Sequence, residues 1–226
     1  MTGPVHRPAD AGVRPLAAFH AGWGLLSAVL LTALPLPMGW RILLATLAYH
    51  VGLPLYARWQ DRPEWLARWR FLLPLGLLQI LPDWYLVNRL GVLAFPDTGS
   101  PAFGTVPLFM AGLWVVPLFL VLCCGDAARA RAGPGAGALA AAAASSLLFT
   151  AAEATLWALP IWQAVDVPRT FHVAHYLLWP ELALGLSAWV AWRLCRDAGW
   201  RRRLPAAAAV MLIYQGNLTL SHALLG

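Results

Sequence analysis

The sequence predicts an all-α, polytopic membrane helix bundle of seven transmembrane helices, N-terminus cytoplasmic and C-terminus outside. Three observations carry this. The 226 residues are 60% apolar and 12% charged, with a mean hydropathy of +0.64, whereas a soluble domain is about 25% charged. Apolar runs of about 20 residues recur along the chain, each long enough to cross ~30 Å of hydrocarbon as a helix. The arginines then divide between the two sides as an odd number of crossings requires. Strand alternation is absent, which argues against a transmembrane barrel.

Hydropathy and punctuation place the helices over 16–36, 40–57, 71–93, 105–124, 137–162, 170–193 and 205–225. The first follows a short cytoplasmic tail, 1–15. Its apolar stretch, Leu16 to Leu36, is too long for a signal-peptide core, and no small-x-small cleavage site follows. The second is short and carries Pro54, with His50 near its middle. The loop after it, "ARWQDRPEWLARWR", reads as an interfacial helix lying at the headgroups. Asp61 would cap it, Pro63 would fill its first turn, and Glu64 would reach back and pair with Arg68. Trp65 and Trp69 would share its apolar face. The third helix is expected to kink at Pro82, which lacks the backbone donor. Between the fourth and fifth, Gly133-Pro134-Gly135 is a turn. The small residues Gly137 to Ser146 then allow a neighbouring helix to approach closely. The whole chain, 1–226, forms a single integral membrane domain with no internal repeat.

There is no Lys, so all 16 basic residues are Arg. With seven alternating spans, 13 of them are cytoplasmic: Arg7, Arg14, Arg58, Arg62, Arg68, Arg70, Arg129, Arg131, Arg193, Arg196, Arg201, Arg202 and Arg203. Arg41, Arg89 and Arg169 fall outside. That is the positive-inside pattern. The basic excess therefore sets orientation and contacts anionic headgroups rather than nucleic acid. The missing lysine excludes a retinal Schiff base. Cys123, Cys124 and Cys195 lack metal-ligand spacing.

Ionisable residues inside spans mark functional candidates, because desolvating them is costly. Asp83 lies midway along the third helix, one turn after Gln79 and before Asn88 and Arg89. Glu153 belongs to a polar stripe of the fifth helix with Ser146, Thr150 and Trp157. Glu181 follows Pro180 in the sixth, whose outer end carries His172 and His175. Gln215, Thr219 and His222 share one face of the seventh, with Asn217 nearby. These groups fall in the middle or outer half of the membrane, so the third, fifth, sixth and seventh helices are expected to line one polar cavity. The loop "FPDTGSPAFG" would cover it. Asp83 can either pair with Arg89 or wall that cavity, whereas Asp97 is expected to cap a turn.

The stretch "PDWYLVNRLGVLAFPDTGSPAFGTVPLFMAGLWVVPLF", with "HVAHYLLWPELAL", resembles an uncharacterised polytopic membrane family of bacteria and plants. In architecture the chain is also similar to membrane-bound terpene cyclases. Such enzymes imply protonation of an alkene or epoxide by a membrane acid, in a cavity lined with aromatic rings. Pro180-Glu181 resembles the Pro-x-Glu-Glu motif of small membrane lycopene cyclases, without its second acid.

The expected function is a membrane-embedded enzyme, cyclase- or isomerase-like, acting on an isoprenoid or other hydrophobic small molecule by acid–base chemistry. It would work in the lipid bilayer of a bacterial inner (plasma) membrane. A carboxylic acid in an apolar cavity keeps its proton to higher pH and can act as general acid. Glu153 is the expected acid, Asp83 or Glu181 its counterpart, and His175 an orienting base. Trp84, Trp114, Trp157 and Trp179 would face a carbocation, and Gln215, Thr219 and His222 would line the substrate site. This chemistry calls for no cofactor and no metal. One alternative is a proton- or ion-coupled transporter or lipid-binding protein, built on helices broken at Pro82 and Pro180. Another is a haem or quinone protein using His50, His172, His175 or His222.

Overall fold

The structure, a computed structural model, describes residues 13–159 and 161–226. The expected tail lies outside the described residues as far as residue 12, Arg7 included. The chain is mostly helical. Among the described residues four stretches are long and apolar enough to cross a membrane: Val13–Ala33, Pro63–Leu90, Phe109–Leu156 and Trp200–Leu225. The expected second and sixth spans correspond to the helices Met38–Trp59 and Leu178–Cys195, which are not among those four.

α1 (Val13–Ala33) buries no residue and packs on α2 (Met38–Trp59). α3 (Pro63–Leu78) starts at the proline, so the loop before it holds no separate interfacial helix. Arg62, not Asp61, occupies the N-cap position; Asp61 has φ +51°. Trp65 packs inward on Phe119, and the Trp69 indole donates to His50 Nδ1 at 3.1 Å. The two tryptophans thus face protein rather than headgroups, because Pro63 opens a helix that runs on into the bundle. Glu64 stands 3.9 Å from Arg62, while Arg68 turns to Asp126.

The helix is interrupted where the sequence predicts a kink, with Gln79 still in right-handed helical backbone. α3 ends at Leu78 and α4 (Ile80–Tyr85) resumes after Gln79. Pro82 has no N–H to offer and its ring crowds the carbonyl four residues back, at Leu78. A π-turn, Leu86–Leu90, follows and closes at Gly91, whose φ of +69° suits glycine.

Three two-residue ribbons build a cap. β1 (Leu93–Ala94) pairs with β4 (Gln163–Ala164), β2 (Ala102–Phe103) with β3 (Val106–Pro107), and β5 (Arg169–Thr170) with β6 (Val173–Ala174), all antiparallel. The β1–β4 pair ties the loop after the π-turn to the loop before α7 (Leu178–Cys195). In the first of these loops Asp97 accepts from Gly99 N at 2.9 Å, a turn cap as expected.

α5 (Phe109–Leu113) leads into α6 (Val115–Leu156), which is not one rod. Ala132 and Gly133 are non-helical, Gly133 at φ +86°. The rings of Trp114 and Phe149 are 5.2 Å apart, although 35 residues of continuous helix would separate them by about 50 Å. α6 therefore doubles back at the predicted turn into arms 115–131 and 134–156. α7 lies against both. A Cβ on Gly125 would stand 2.5 Å from Trp189 Cδ1, and one on Gly137 2.6 Å from its Cζ2. The second arm ends at Leu156, not 162. α8 (Trp200–Leu225) then packs on α7 and α3.

The sixth helix begins at Leu178 rather than 170. Residues 169–174 form the β5–β6 ribbon and His175–Leu177 a 3-10 turn. His172 and His175 are thus not on one helix, since Phe171 and His172, at φ +50° and +69°, make the ribbon's tight turn. Pro180 sits in the first turn of α7, where its missing N–H breaks nothing.

At the end of the bundle away from the ribbons, Asp126 ties three helical segments together. It accepts from Arg68 Nε (3.2 Å) and Nη2 (2.9 Å), from Trp189 Nε1 (3.2 Å) and from Trp192 Nε1 (3.0 Å). Arg193 Nη1 is 3.5 Å away.

Candidate functional site

Under the ribbon cap lies a largely apolar cavity of about 260 Å³. Each wall comes from a feature described above. The α3–α4 break presents Asp83. The α5–α6 junction presents Trp114. The second arm of α6 gives Phe149 and Glu153, and the first turns of α7 with the preceding 3-10 turn give Glu181 and Tyr176. α8 contributes Tyr214, the cap Phe95 and Trp162, and α1 Trp23.

Two of the three carboxyl groups are held by tryptophans. Trp114 Nε1 donates to Asp83 Oδ2 at 3.0 Å, and Trp162 Nε1 to Glu153 Oε1 at 2.8 Å. Glu181 is only 3% exposed, and its Oε2 has no hydrogen-bond partner among the described residues. Its backbone carbonyl accepts from Ser145 Oγ at 2.6 Å. Trp114 is the hub, with its ring 5.2 Å from Phe149 and 5.7 Å from Tyr214. Asp83, Glu153 and Glu181 all line this one cavity. Yet among the described residues no three His, Cys, Asp or Glu side chains are grouped to hold a metal ion. The acids are spread around the wall.

Of the expected site residues, Asp83, Glu153, Glu181 and Trp114 meet at this cavity. The rest do not line it. Trp84, turned about 100° around α4 from the adjacent Asp83, is 36% exposed and lies beneath the Arg89 guanidinium at 5.8 Å. Arg89 thus stacks on Trp84, and the partner of Asp83 is Trp114. Trp157 and Trp179 are both 56% exposed. Trp157 stacks on His172 at 4.4 Å, and Trp179 donates to Asn217 at 2.7 Å. His175 bonds Thr170 Oγ1 through Nε2 at 2.8 Å. Gln215, Thr219 and His222 occupy another side of α8: Thr219 bonds back to the Gln215 carbonyl, and His222 meets the edge of Tyr176. The face of α8 turned inward carries Val210, Met211, Tyr214 and Leu218.

Sequence reasoning missed Trp23, Phe95, Phe149, Trp162, Tyr176 and Tyr214. Tyr214 was recoverable from the apolar 3–4 spacing at 207, 210, 211, 214 and 218. Trp162 sits in a loop with no periodicity to read. His50 is committed to structure, its Nε2 3.1 Å from the Gly112 carbonyl and its Nδ1 accepting from Trp69. None of His50, His172, His175 and His222 lines the cavity.

One family model, Domain of unknown function (DUF6989), matches residues 80–225. The chain belongs to this DUF6989 family. Neither the curated proteins nor the solved structures give a match. The DUF6989 segment begins at the helix break and takes in Asp83, Trp114, Glu153, Trp162, Glu181 and Tyr214. Of the residues just named on the cavity wall, Trp23 alone comes from outside it.

Proposed function

We propose that this DUF6989 protein is a membrane-embedded enzyme that isomerises or cyclises a hydrophobic substrate of the isoprenoid type by proton transfer. The observation that carries it is the cavity: three carboxyl groups set in a wall of aromatic rings. An engineered apolar cavity of about 150 Å³ takes up benzene, so 260 Å³ suits roughly ten carbon atoms. Glu153 is the acid. It gives a proton to an alkene or epoxide, a cation forms, and Asp83 or Glu181 as carboxylate takes a proton from a neighbouring carbon. The product is then an isomer of the substrate, with no redox partner needed. Trp114 serves twice, its N–H holding Asp83 and its ring facing the developing cation. His175 has no part in this reading.

We place the protein in the membrane as seven crossings, counting the arms of α6 separately, with the Asp126 end cytoplasmic and the ribbon cap outside, in a bacterial inner membrane. The 13-to-3 division of arginines supports that orientation. Cysteine-accessibility labelling at Arg131→Cys and Phe103→Cys tests it; labelling of both from the same side would refute it. The enzymatic reading is tested by incubating purified protein with isoprenoid alkenes and epoxides of about ten carbons. Turnover should vanish in Glu153→Gln, and unchanged turnover in that variant would remove Glu153 from the role of acid.

One observation favours a second reading, a proton-coupled transporter. Gln79 is fully buried at the helix break, and neither of its side-chain polar atoms has a partner among the described residues. Proton-driven uptake into liposomes, lost in Asp83→Asn, would select it over the enzyme. With Pro180 in a first turn, only one broken helix remains to support transport.

A further inference from the structure

A second cleft of about 320 Å³ stands behind the apolar cavity and shares Glu153, Trp162 and Ala164 with it. The shared residues make a partition, apolar on one side and polar on the other. On the polar side lie Arg169, His172 and Trp157. Arg169 Nη1 donates to the Ala164 carbonyl at 3.1 Å, which holds the guanidinium over the partition. The His172 ring is parallel to Trp157, at 4.4 Å and 13°. Phe171 and His172 both hold left-handed backbone to make this turn, a conformation non-glycine residues adopt at a cost and that clusters at ligand sites.

Resting on the enzymatic reading of the cavity, we propose that this cleft is the head-group subsite, so that the substrate is an anionic amphiphile. A phosphate or carboxylate head would bind Arg169 and His172, and a tail of roughly ten carbons would pass the partition into the apolar cavity. A guanidinium presents a planar fork of N–H donors that matches either oxyanion, and an imidazole adds one more donor. Glu153, fixed by Trp162 at the partition, would then stand beside the first carbons of the tail. Proton transfer would fall on a bond close to the head group rather than at the far end of the chain.

The probes are decyl phosphate, decanoate, decanol and inorganic phosphate, with the protein in nanodiscs of zwitterionic lipid and tryptophan fluorescence as readout. Decyl phosphate or decanoate should bind at least about tenfold more tightly than decanol, the size expected of charge-assisted hydrogen bonds. Arg169→Gln should bring the anionic probes to within about twofold of decanol and leave decanol unchanged; Arg169→Lys should restore part of the gap, and Arg89→Gln should leave all of it. Inorganic phosphate at millimolar concentration should displace neither tail. Equal affinity of wild-type protein for decanol and both anionic probes overturns the head-group subsite and leaves the cavity reading standing. That comparison needs no variant to fold. Binding of none of the three ten-carbon probes overturns both. Displacement of decyl phosphate by inorganic phosphate alone would mark the cleft as a free-anion site and overturn the amphiphile.

Discussion

Asp126→Asn is the most informative single change to stability. Asp126 receives four hydrogen bonds, two from Arg68 and one each from Trp189 and Trp192, with Arg193 3.5 Å away. Its side chain is only 14% exposed, and those of Arg68 and Arg193 are 11% and 20% exposed. Asparagine keeps the shape but loses the charge and turns one acceptor oxygen into a donor. That NH2 would face the Arg68 or the tryptophan donors, leaving two guanidinium groups without their counter-charge. Removing one partner of a buried ion pair costs about 3–5 kcal/mol. The residual exposure and the oxygen that survives put this variant near the lower figure, about 3 kcal/mol. For a chain of this length that is a fall of roughly 6–12 °C in Tm, at 2–4 °C per kcal/mol. The assay is tryptophan-monitored melting in detergent, repeated for Arg68→Gln and for the double variant. Because the two groups serve one interaction, the double should cost much less than the sum. A Tm within about 1 °C of wild type, or strictly additive single effects, would refute the clasp. Decanol binding should be unaltered at temperatures where the variant is folded, since Asp126 does not line the cavity.

Trp114→Phe keeps a ring at the hub but removes the donor to Asp83. It should cost about 1–3 kcal/mol in stability, and Trp114→Leu should lose more turnover than Trp114→Phe if the ring faces a cation. Gly185→Val would drive its side chain into Ser145 and the Ala141 carbonyl, an overpacking worth about 1–3 kcal/mol and visible as a lower Tm. Trp23 lines both the apolar cavity and a groove between α1 and α2, with its indole held by the Ala45 carbonyl at 2.9 Å. Trp23→Ala should join the two spaces and accelerate decanol binding from the membrane side in stopped-flow fluorescence; an unchanged rate would mean entry elsewhere.

The helices were legible because each depends on local sequence: apolar length, the Gly133-Pro134 turn, the break forced by Pro82. Asp83, Glu153 and Glu181 were legible because a carboxyl group inside an apolar run is hard to place anywhere but a cavity. The errors share a cause. The polar stripe Gln215, Thr219 and His222 was taken to face the cavity, but the Thr219 hydroxyl donates to the Gln215 carbonyl one turn away, so that stripe need not face inward. The inward side of α8 is set instead by the volume of Tyr214 and Met211. Likewise, Trp65 and Trp69 resemble an interfacial pair, and only the chain running on from Pro63 turns them inward. Trp162 reaches Glu153 from beside β4, whose pairing with β1 joins Leu93–Ala94 to Gln163–Ala164 across the chain, and no local pattern records that pairing.

Glu181 separates a structural account of the acids from a functional one. Asp83 and Glu153 each accept from an indole N–H, an arrangement that packing alone can justify. Glu181 differs, because its buried Oε2 has no partner among the described residues. Buried polar groups are nearly always satisfied, and leaving one unsatisfied costs about 1–3 kcal/mol. A residue that served only to fill space would therefore be better as leucine. Glu181→Leu should raise Tm by roughly 2–4 °C, about 1 kcal/mol after allowance for imperfect packing, while turnover falls. That pairing of higher stability with lost activity is the mark of a group retained for chemistry. A fall in Tm of more than about 4 °C would mean that the carboxyl is stabilised inside the folded protein, and Glu181 would then join Asp126 as part of the frame.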